Sequence, residues 1–418
     1  MNARPAHDAV VVGAGAVGAA TALALARRNR RVVLVDGRPG PAEAPGADYG
    51  EFVVSLNLAS VALLERLGVW NAVCSTRASR YGAMAIWDEG GSGHTRFDSA
   101  DIGQPALGYF IEAALLEARL HEALAATPGV DLRWSSRPQA LLPLADRARL
   151  TLDGGDALEA ALVVGADGAR SALRQLAGIE VDRYDYGQRA LVCNFATERP
   201  HDATARQRFL AGGPVAMLPL ADGRCSLAWF RPEAEAERLL ALDDEAFCGA
   251  LSEATDFALG RVTAATRRRA FPIVRRHARR YVAERTVLVG DAAHTIHPQA
   301  GQGLNIGLLD AAALADSVGS RDDAGTWRRL RHYARWRRGH NTAVMHAMDL
   351  FHHGFAHGGA ARVAARNLGL ALADRAGPAK RLVTRVGCGL AGDLPPLARP
   401  RVEPGSAAAA GKAGDDDL

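Results

Sequence analysis

The chain has 418 residues, 48% of them hydrophobic and 23% charged, with 44 glycines and 19 prolines. That composition is globular, suits two or three domains, and excludes a disordered, collagen-like or disulfide-stapled protein. A formal net charge of +4 is small for this length, so nucleic acid is not an expected partner.

The segment before Asp8 is polar and lacks a charged-then-apolar leader, and no run of about 18 apolar residues marks a membrane span. A cytoplasmic location is therefore expected. Asp8 to Gly13 is a short β-branched run, Gly13 to Arg28 reads as an Ala/Leu-rich helix, and Arg31 to Asp36 is a second strand. This βαβ unit opens a doubly wound α/β domain. A Pro/Gly loop from Pro39 to Gly50 precedes a predicted helix over Ser55–Leu67, a small sheet over Tyr81–Phe97 and a helix over Ile111–Ala126. Leu132 to Leu152 resembles a strand pair, and Ala161 to Gly165 a buried strand. From Leu191 to Arg231, β-forming runs broken by Gly and Asp-Gly turns predict an antiparallel sheet inserted into the α/β frame. Thr286 to Gly290 returns to the parallel-strand pattern, a helix follows over Asn305–Ser317, and the chain after Arg328 reads as helical. Five scattered cysteines (Cys74, Cys193, Cys225, Cys248, Cys388) show no CxxC spacing and are expected to be buried, reduced thiols.

Three glycine-anchored motifs carry the chemistry. In Gly13-Ala-Gly15-Ala-Val17-Gly18, the first glycine permits a tight strand-to-helix turn. The second lets a pyrophosphate approach the backbone, and the third lets the helix pack closely on the sheet. Phosphates would then meet the helix N-terminus, and Asp36 at the end of the second strand can bind a ribose hydroxyl. The motif by itself does not separate NAD from FAD. In the second motif, Val163 to Ser171, a strand delivers Asp167, Gly168 and Arg170; taken alone, these residues are better explained as an ordinary Asp-Gly turn with Ser171 as helix cap, and the third motif changes that balance. The third runs from Val287 to Asp310. Its strand leads to Gly290 and Asp291, and Gly301-Gln302-Gly303 brings backbone close to a flat ligand. A helix starting at about Leu304, with Asn305 in its first turn, aims its N–H groups at the same place.

These three motifs, in this order, resemble the class A FAD-dependent aromatic hydroxylases. The stretch His297-Pro298-Gln-Ala-Gly301-Gln302-Gly303-Leu304-Asn305 to Asp310 is similar to the signature of the ubiquinone-biosynthesis hydroxylases. So are Tyr186-Gly-Gln188, Leu218-Pro219-Leu220, Met348-Asp349 and Gly392-Asp393, a resemblance covering roughly residues 8 to 400. It implies FAD as cofactor, NADH or NADPH as reductant, O₂ as co-substrate and a lipophilic polyprenylated phenol as substrate, hydroxylated through a flavin hydroperoxide.

The implied organisation is a Rossmann-like FAD domain over residues 1–75, 106–180 and 281–335, with a β-sheet substrate domain over 76–105 and 181–280. C-terminal helices over 336–400 and a disordered tail over 401–418 complete it. Gly13, Gly15, Val17, Gly18, Asp36, Asp167, Arg170, Gly290, Asp291, Gly301, Gln302, Gly303, Leu304 and Asn305 are the implied cofactor contacts. His297, Pro298 and Gln302 stand nearest the chemistry, and Met217, Leu218, Leu220 and Trp229 are substrate-lining candidates, although residues of this kind are more often simply core. His294 and His297 lack a third ligand nearby, so no metal is expected.

Two positions depart from the family pattern: Phe52 stands where an arginine is usual, and Ala113 follows Glu112 where Asn or Arg is usual. Both remove polar contacts to FAD. Other readings remain open, namely a hydroxylase of another aromatic substrate such as a phenolic acid or polyketide, a related reductase or halogenase, and a flavin-poor lipid-carrying subunit. The tryptophans never fall two apart, which argues against the Trp-x-Trp of a halogenase. A ubiquinone-biosynthesis complex and peripheral contact with the inner face of the membrane follow from the implied substrate alone.

Overall fold

A computed structural model of the chain describes residues 7–89, 93–320, 322–356 and 377–401. The tail expected after residue 401 lies outside them.

Valine-rich runs buried on both sides build the first sheet. His7–Val12 lies between Ala157–Gly165 and Val32–Val35, with Thr286–Leu288 and Val130–Arg133 continuing the parallel array outward. Period-2 alternation sends Ala9, Val11, Leu34, Leu162 and Val164 to one face and Val10, Val12, Val33, Val35 and Val163 to the other. The first face carries the helices Ala16–Ala26, Ala113–Ala125 and Gln302–Val318. The second is covered by an antiparallel hairpin, Pro138–Pro143 with Ala148–Leu152, through Leu150 and Leu152. Coverage of both faces explains why these strands read as unbroken apolar runs.

A second sheet of ten strands includes Val181–Val192, Cys225–Pro232, Val215–Pro219 and Arg269–Ala278. It is antiparallel except where Thr204–Phe209 pairs in parallel with Ala83–Asp88. More than a hundred residues separate those two strands, enough chain for a crossover that a hairpin cannot make. Helices Glu233–Ala241 and Asp244–Ala254 cover one face, packing on Met217, Trp229, Leu191 and Phe195. The opposite face, with Ala190, Phe230 and Ile273, turns elsewhere. His294–Thr295, from the third motif, pairs with Arg276 and His277 and so stitches that loop to this sheet.

Several elements start elsewhere than periodicity suggests. Ser55 lies in the strand Val53–Leu56, and the helix begins at Leu58 behind Asn57, whose side chain accepts from Ser60 N at 2.9 Å. Ile111 ends in the strand Gly108–Glu112, where the run Tyr109-Phe110-Ile111 prefers a pleated surface. These two strands and Ser79–Tyr81 form a small third sheet. Val181–Val192 begins ten residues before the predicted Leu191, because its exposed first half is polar. Among the cysteines, Cys74 is exposed and Cys248 half-buried. Burial pushes the Cys193, Cys225 and Cys388 thiols up to about 12.

Candidate functional site

The three motifs touch. Gly13 has φ +102°, and a Cβ there would lie 2.4 Å from the Ala166 carbonyl, so only glycine lets the first motif meet the second. Val17 fills the gap between Gly290 and Gly307; a Cβ on either would approach it to 3.0 and 2.7 Å. Two other glycines face space instead. A Cβ at Gly15 would come no nearer than 3.7 Å to any atom, and one at Gly303 would meet nothing within 4 Å. Both sit at N-termini that no side chain caps, those of Ala16–Ala26 and Gln302–Val318. The bed therefore offers two helix N-termini with their positive dipole ends, with room above each.

Beyond the strand Val32–Val35, Asp36 Oδ2 accepts from Ala14 N at 2.6 Å and Oδ1 from Arg38 N at 2.8 Å. Arg38 also reaches Glu117 at 2.7 Å. His121 joins this end of the bed. Its Nδ1 accepts from Ala42 N at 2.8 Å, so the proton of the neutral ring is on Nε2, 2.6 Å from the Ala14 carbonyl. Burial lowers its pKa and keeps the ring neutral. Nothing in the spacing of Glu117 or His121 marked them, because their partners lie far away in sequence.

Asp167 is engaged locally: Ser171 Oγ and Leu173 N (3.0 Å) donate to its carboxylate, while Ser171 caps the short helix through Arg174 N at 2.9 Å. Arg170 points to solvent. Buried Arg174, which the sequence did not single out, ties the second motif to the third by donating to the Ala292 carbonyl at 2.9 Å.

In the third motif Asp291 reaches solvent from within a recess dense with protein. That desolvation raises its carboxyl pKa, with His294 and Arg276 opposing. Asn305 is fully used as a clamp. Its Oδ1 accepts from Asn57 N (2.9 Å) and Ser60 Oγ (2.7 Å), and its Nδ2 donates to the carbonyls of Ser55 (2.9 Å) and Gly301 (2.8 Å). Its contribution to a ligand is thus the position of the Gly301 turn. Behind the loop lies Asp310, wholly buried, accepting from His294 Nε2 (2.5 Å), Gly290 N (3.1 Å), Arg337 Nε (2.7 Å) and Asn341 Nδ2 (3.0 Å). Burial alone would raise the Asp310 pKa; His294 and Arg337 outweigh it and hold the carboxyl below the usual range.

His297 is buried where the bed meets the second sheet. Its ring lies edge-on to Tyr186 with centroids 4.8 Å apart, and 5.4 Å from Phe230. Its Nε2 faces Gln188 Oε1 at 3.5 Å. Tyr186 donates to Asp349, which also pairs with Arg275, so the long helix Trp327–Ala356 holds this aromatic face in place. Pro298 opens the single turn Pro298–Ala300, and Gln302 and Leu304 lie in the first turn of the next helix. Phe52 is 48% exposed, its ring 6.1 Å from Phe271 on the same aromatic side, and its carbonyl accepts from Ala113 N at 3.1 Å. The two departures from the family pattern are therefore neighbours.

The substrate-lining candidates divide. Met217 and Trp229 point into the helix-covered core. Leu218 falls on the opposite parity, that of Phe230, and Leu220 is buried at the hairpin turn. Phe230 and Tyr186, not the adjacent Trp229, face His297. Among the described residues no group of His, Cys, Asp and Glu could hold a metal.

Residues 6–348 match the family model for the FAD binding domain. The chain is 38% identical to the 3-demethoxyubiquinol 3-hydroxylase of Escherichia coli K12 over 92% of its own length and 98% of that protein. It is 35% identical to the ubiquinone hydroxylase UbiL of Rhodospirillum rubrum, covering 90% and 88%. Among solved structures, PqsL of Pseudomonas aeruginosa, described as a probable FAD-dependent monooxygenase, superposes with a TM-score of 0.71 at 26% identity, covering 87% of this chain and 99% of that one.

Proposed function

Because the chain belongs to the FAD-binding-domain family of flavoprotein monooxygenases, we propose that it hydroxylates the ring of a polyprenylated phenol on the route to ubiquinone. Bound FAD supplies the redox chemistry, accepting a hydride from NADH or NADPH and, once reduced, activating O₂. Every other task belongs to the protein.

The glycine bed fits that cofactor. Amides at the start of Ala16–Ala26, with Gly15 beneath, hold the pyrophosphate, and Asp36 takes a ribose hydroxyl with the lone pairs that Ala14 and Arg38 leave. The Gly301–Gly303 turn and the uncapped start of Gln302–Val318 support the flavin ring and stabilise negative charge on it. Asp291 accepts hydroxyls of the linking chain from its recess, and Arg170 is free in orientation to meet a nicotinamide nucleotide. The substrate ring lies against Tyr186, Phe230 and Leu218, with His297, Pro298 and Gln302 at the seam orienting it and excluding water. On this division the α/β part is the cofactor domain and the ten-stranded sheet the substrate domain.

The observation that carries the reading is the meeting at His297 of an open glycine bed and an aromatic sheet face. It supports ring chemistry beside a flat cofactor and needs no protein nucleophile. Association with a ubiquinone-biosynthesis complex, and work at the inner face of the membrane, are part of the proposal. No helix among the described residues is long and apolar enough to cross a membrane.

The test is the flavin spectrum of the purified protein, then NAD(P)H oxidation with and without a prenylated 4-hydroxybenzoate-derived phenol. Yellow protein, substrate-stimulated oxidation and a product heavier by one oxygen atom are expected. Colourless protein that FAD cannot reconstitute would favour the lipid carrier. Turnover of only non-prenylated phenols would favour another aromatic substrate.

A further inference from the structure

The helix Gly377–Gly387 packs with its sides reversed. Thr384 is buried, and Cys388, just past the helix, joins Ile102 and Leu107 in an apolar cluster. Leu58 N donates to the Cys388 carbonyl at 3.0 Å, and Lys380 lies over the Phe97 ring at 5.7 Å. These contacts fix the polar side of the helix against the protein. Ala379, Leu382, Val383 and Val386, at helical spacing of three and four, form a stripe on the other side. Leu382, Val383 and Val386 are 59%, 60% and 56% exposed. An amphipathic helix in water normally turns such a stripe inward.

The charges around the stripe name its occupant. The helix carries Lys380, Arg381 and Arg385 and no acidic residue. Among the described residues neither Arg381 nor Arg385 forms an ion pair. An apolar stripe edged by cations is the pattern of a helix lying in a lipid headgroup layer. A second copy of the chain fits poorly: eleven residues span about 16 Å, and a strip roughly 10 Å wide is far below the about 800 Å² per partner of a stable interface. We propose that Gly377–Gly387 docks the protein on an anionic bilayer, with Leu382, Val383 and Val386 in the acyl boundary and Arg381 and Arg385 on lipid phosphates. The inference rests on the polyprenyl reading of the substrate only for its purpose, which is to bring the site to a membrane-dissolved phenol.

Flotation of the full chain on phosphatidylcholine vesicles, with and without phosphatidylglycerol, tests it. The wild type should float with the anionic vesicles, stay down with the neutral ones, and detach as salt rises. Arg381→Gln with Arg385→Gln should weaken anionic binding about 30-fold, from the increment per basic residue at a charged surface. Leu382→Glu with Val386→Glu should abolish it while flavin content and melting temperature stay unchanged. Wild-type protein that ignores anionic vesicles, or variants that float as well as the wild type, would overturn the assignment. So would a dimer in solution that the glutamate variant dissolves. Flotation without hydroxylation of prenylated phenols would retire the substrate reading alone, and hydroxylation without flotation would retire the docking alone.

Discussion

Asp310→Asn tests the buried network behind the third glycine motif. The substitution keeps shape and volume but removes the one carboxylate that, among the described residues, pairs with Arg337, which is itself 0% exposed. It also turns an acceptor of four hydrogen bonds into a group that presents N–H to donors. Stripping one partner from a buried charge pair costs about 3–5 kcal/mol. With an unfolding entropy of about 2.1 cal/mol/K per residue, 418 residues give roughly 0.9 kcal/mol/K, so the melting temperature should fall by about 3–6 °C. Because Gly290 N is one of the four donors, flavin affinity should fall as well. The carboxyl titrates below its unfolded value, so its contribution is complete above the ordinary carboxylate range and lost only in stronger acid. The wild-type-minus-variant difference should therefore be flat from pH 8 to pH 5. Calorimetry with and without FAD provides the assay, and Asp310→Leu with Arg337→Met should recover much of the loss, as apolar replacement of a buried pair does. A variant melting within 1 °C of the wild type would refute the reasoning.

Gly303→Ala should leave the flavin-free protein as stable as the wild type, since its Cβ meets nothing, yet weaken FAD about tenfold or more in a fluorescence titration; unchanged affinity would move the flavin away from this helix start. Phe230→Ala and Trp229→Ala should each cost about 3–5 kcal/mol of packing, because both rings are buried. Only Phe230→Ala should also lower substrate-stimulated NAD(P)H oxidation in the protein that remains folded, since Phe230 faces His297; the opposite assignment of the activity loss would reverse the two faces of the sheet. Burial first, then Arg338 and His294, lowers His277 from 6.5 to about 4. The unfolded chain therefore takes up a proton that the folded protein refuses, so stability is complete above about pH 6.5 and declines toward pH 4. His277→Gln should flatten that decline in melting curves taken across the window, and an equally steep decline in the variant would assign the acid sensitivity elsewhere.

What the sequence made legible depends on how local the cause is. The parallel strands and the Gly13–Gly18 turn are readable because burial on both faces and a positive φ at Gly13 leave few alternatives for those positions. Periodicity carries Ser55 and Ile111 into the following helices, because strand and helix share apolar residues at such junctions and only Asn57 and Glu112 mark the change. Trp229 and Phe230 show a different limit: both are large and aromatic, and the face each takes is set by pairing with Leu191 and Ala190, nearly forty residues away. Arg174, His121 and the Asp310–Arg337 pair were illegible for the same reason. Each is defined by partners that only the fold brings together.

The strand order also sets a timetable for synthesis. Thr286–Leu288 completes the sheet beside Ala157–Gly165, and Gln302–Val318 covers Ala16–Ala26, a helix buried almost all round. At about 5–20 residues per second, the roughly 120 residues between those neighbouring strands take about 6–24 s to emerge. For that interval a sheet edge and an alanine-rich helix await their cover on the ribosome. The glycine bed proposed for the cofactor does not exist until the last third of the chain arrives, so on that reading FAD binds late, and premature termination before residue 302 is expected to yield a sticky fragment instead of a smaller enzyme.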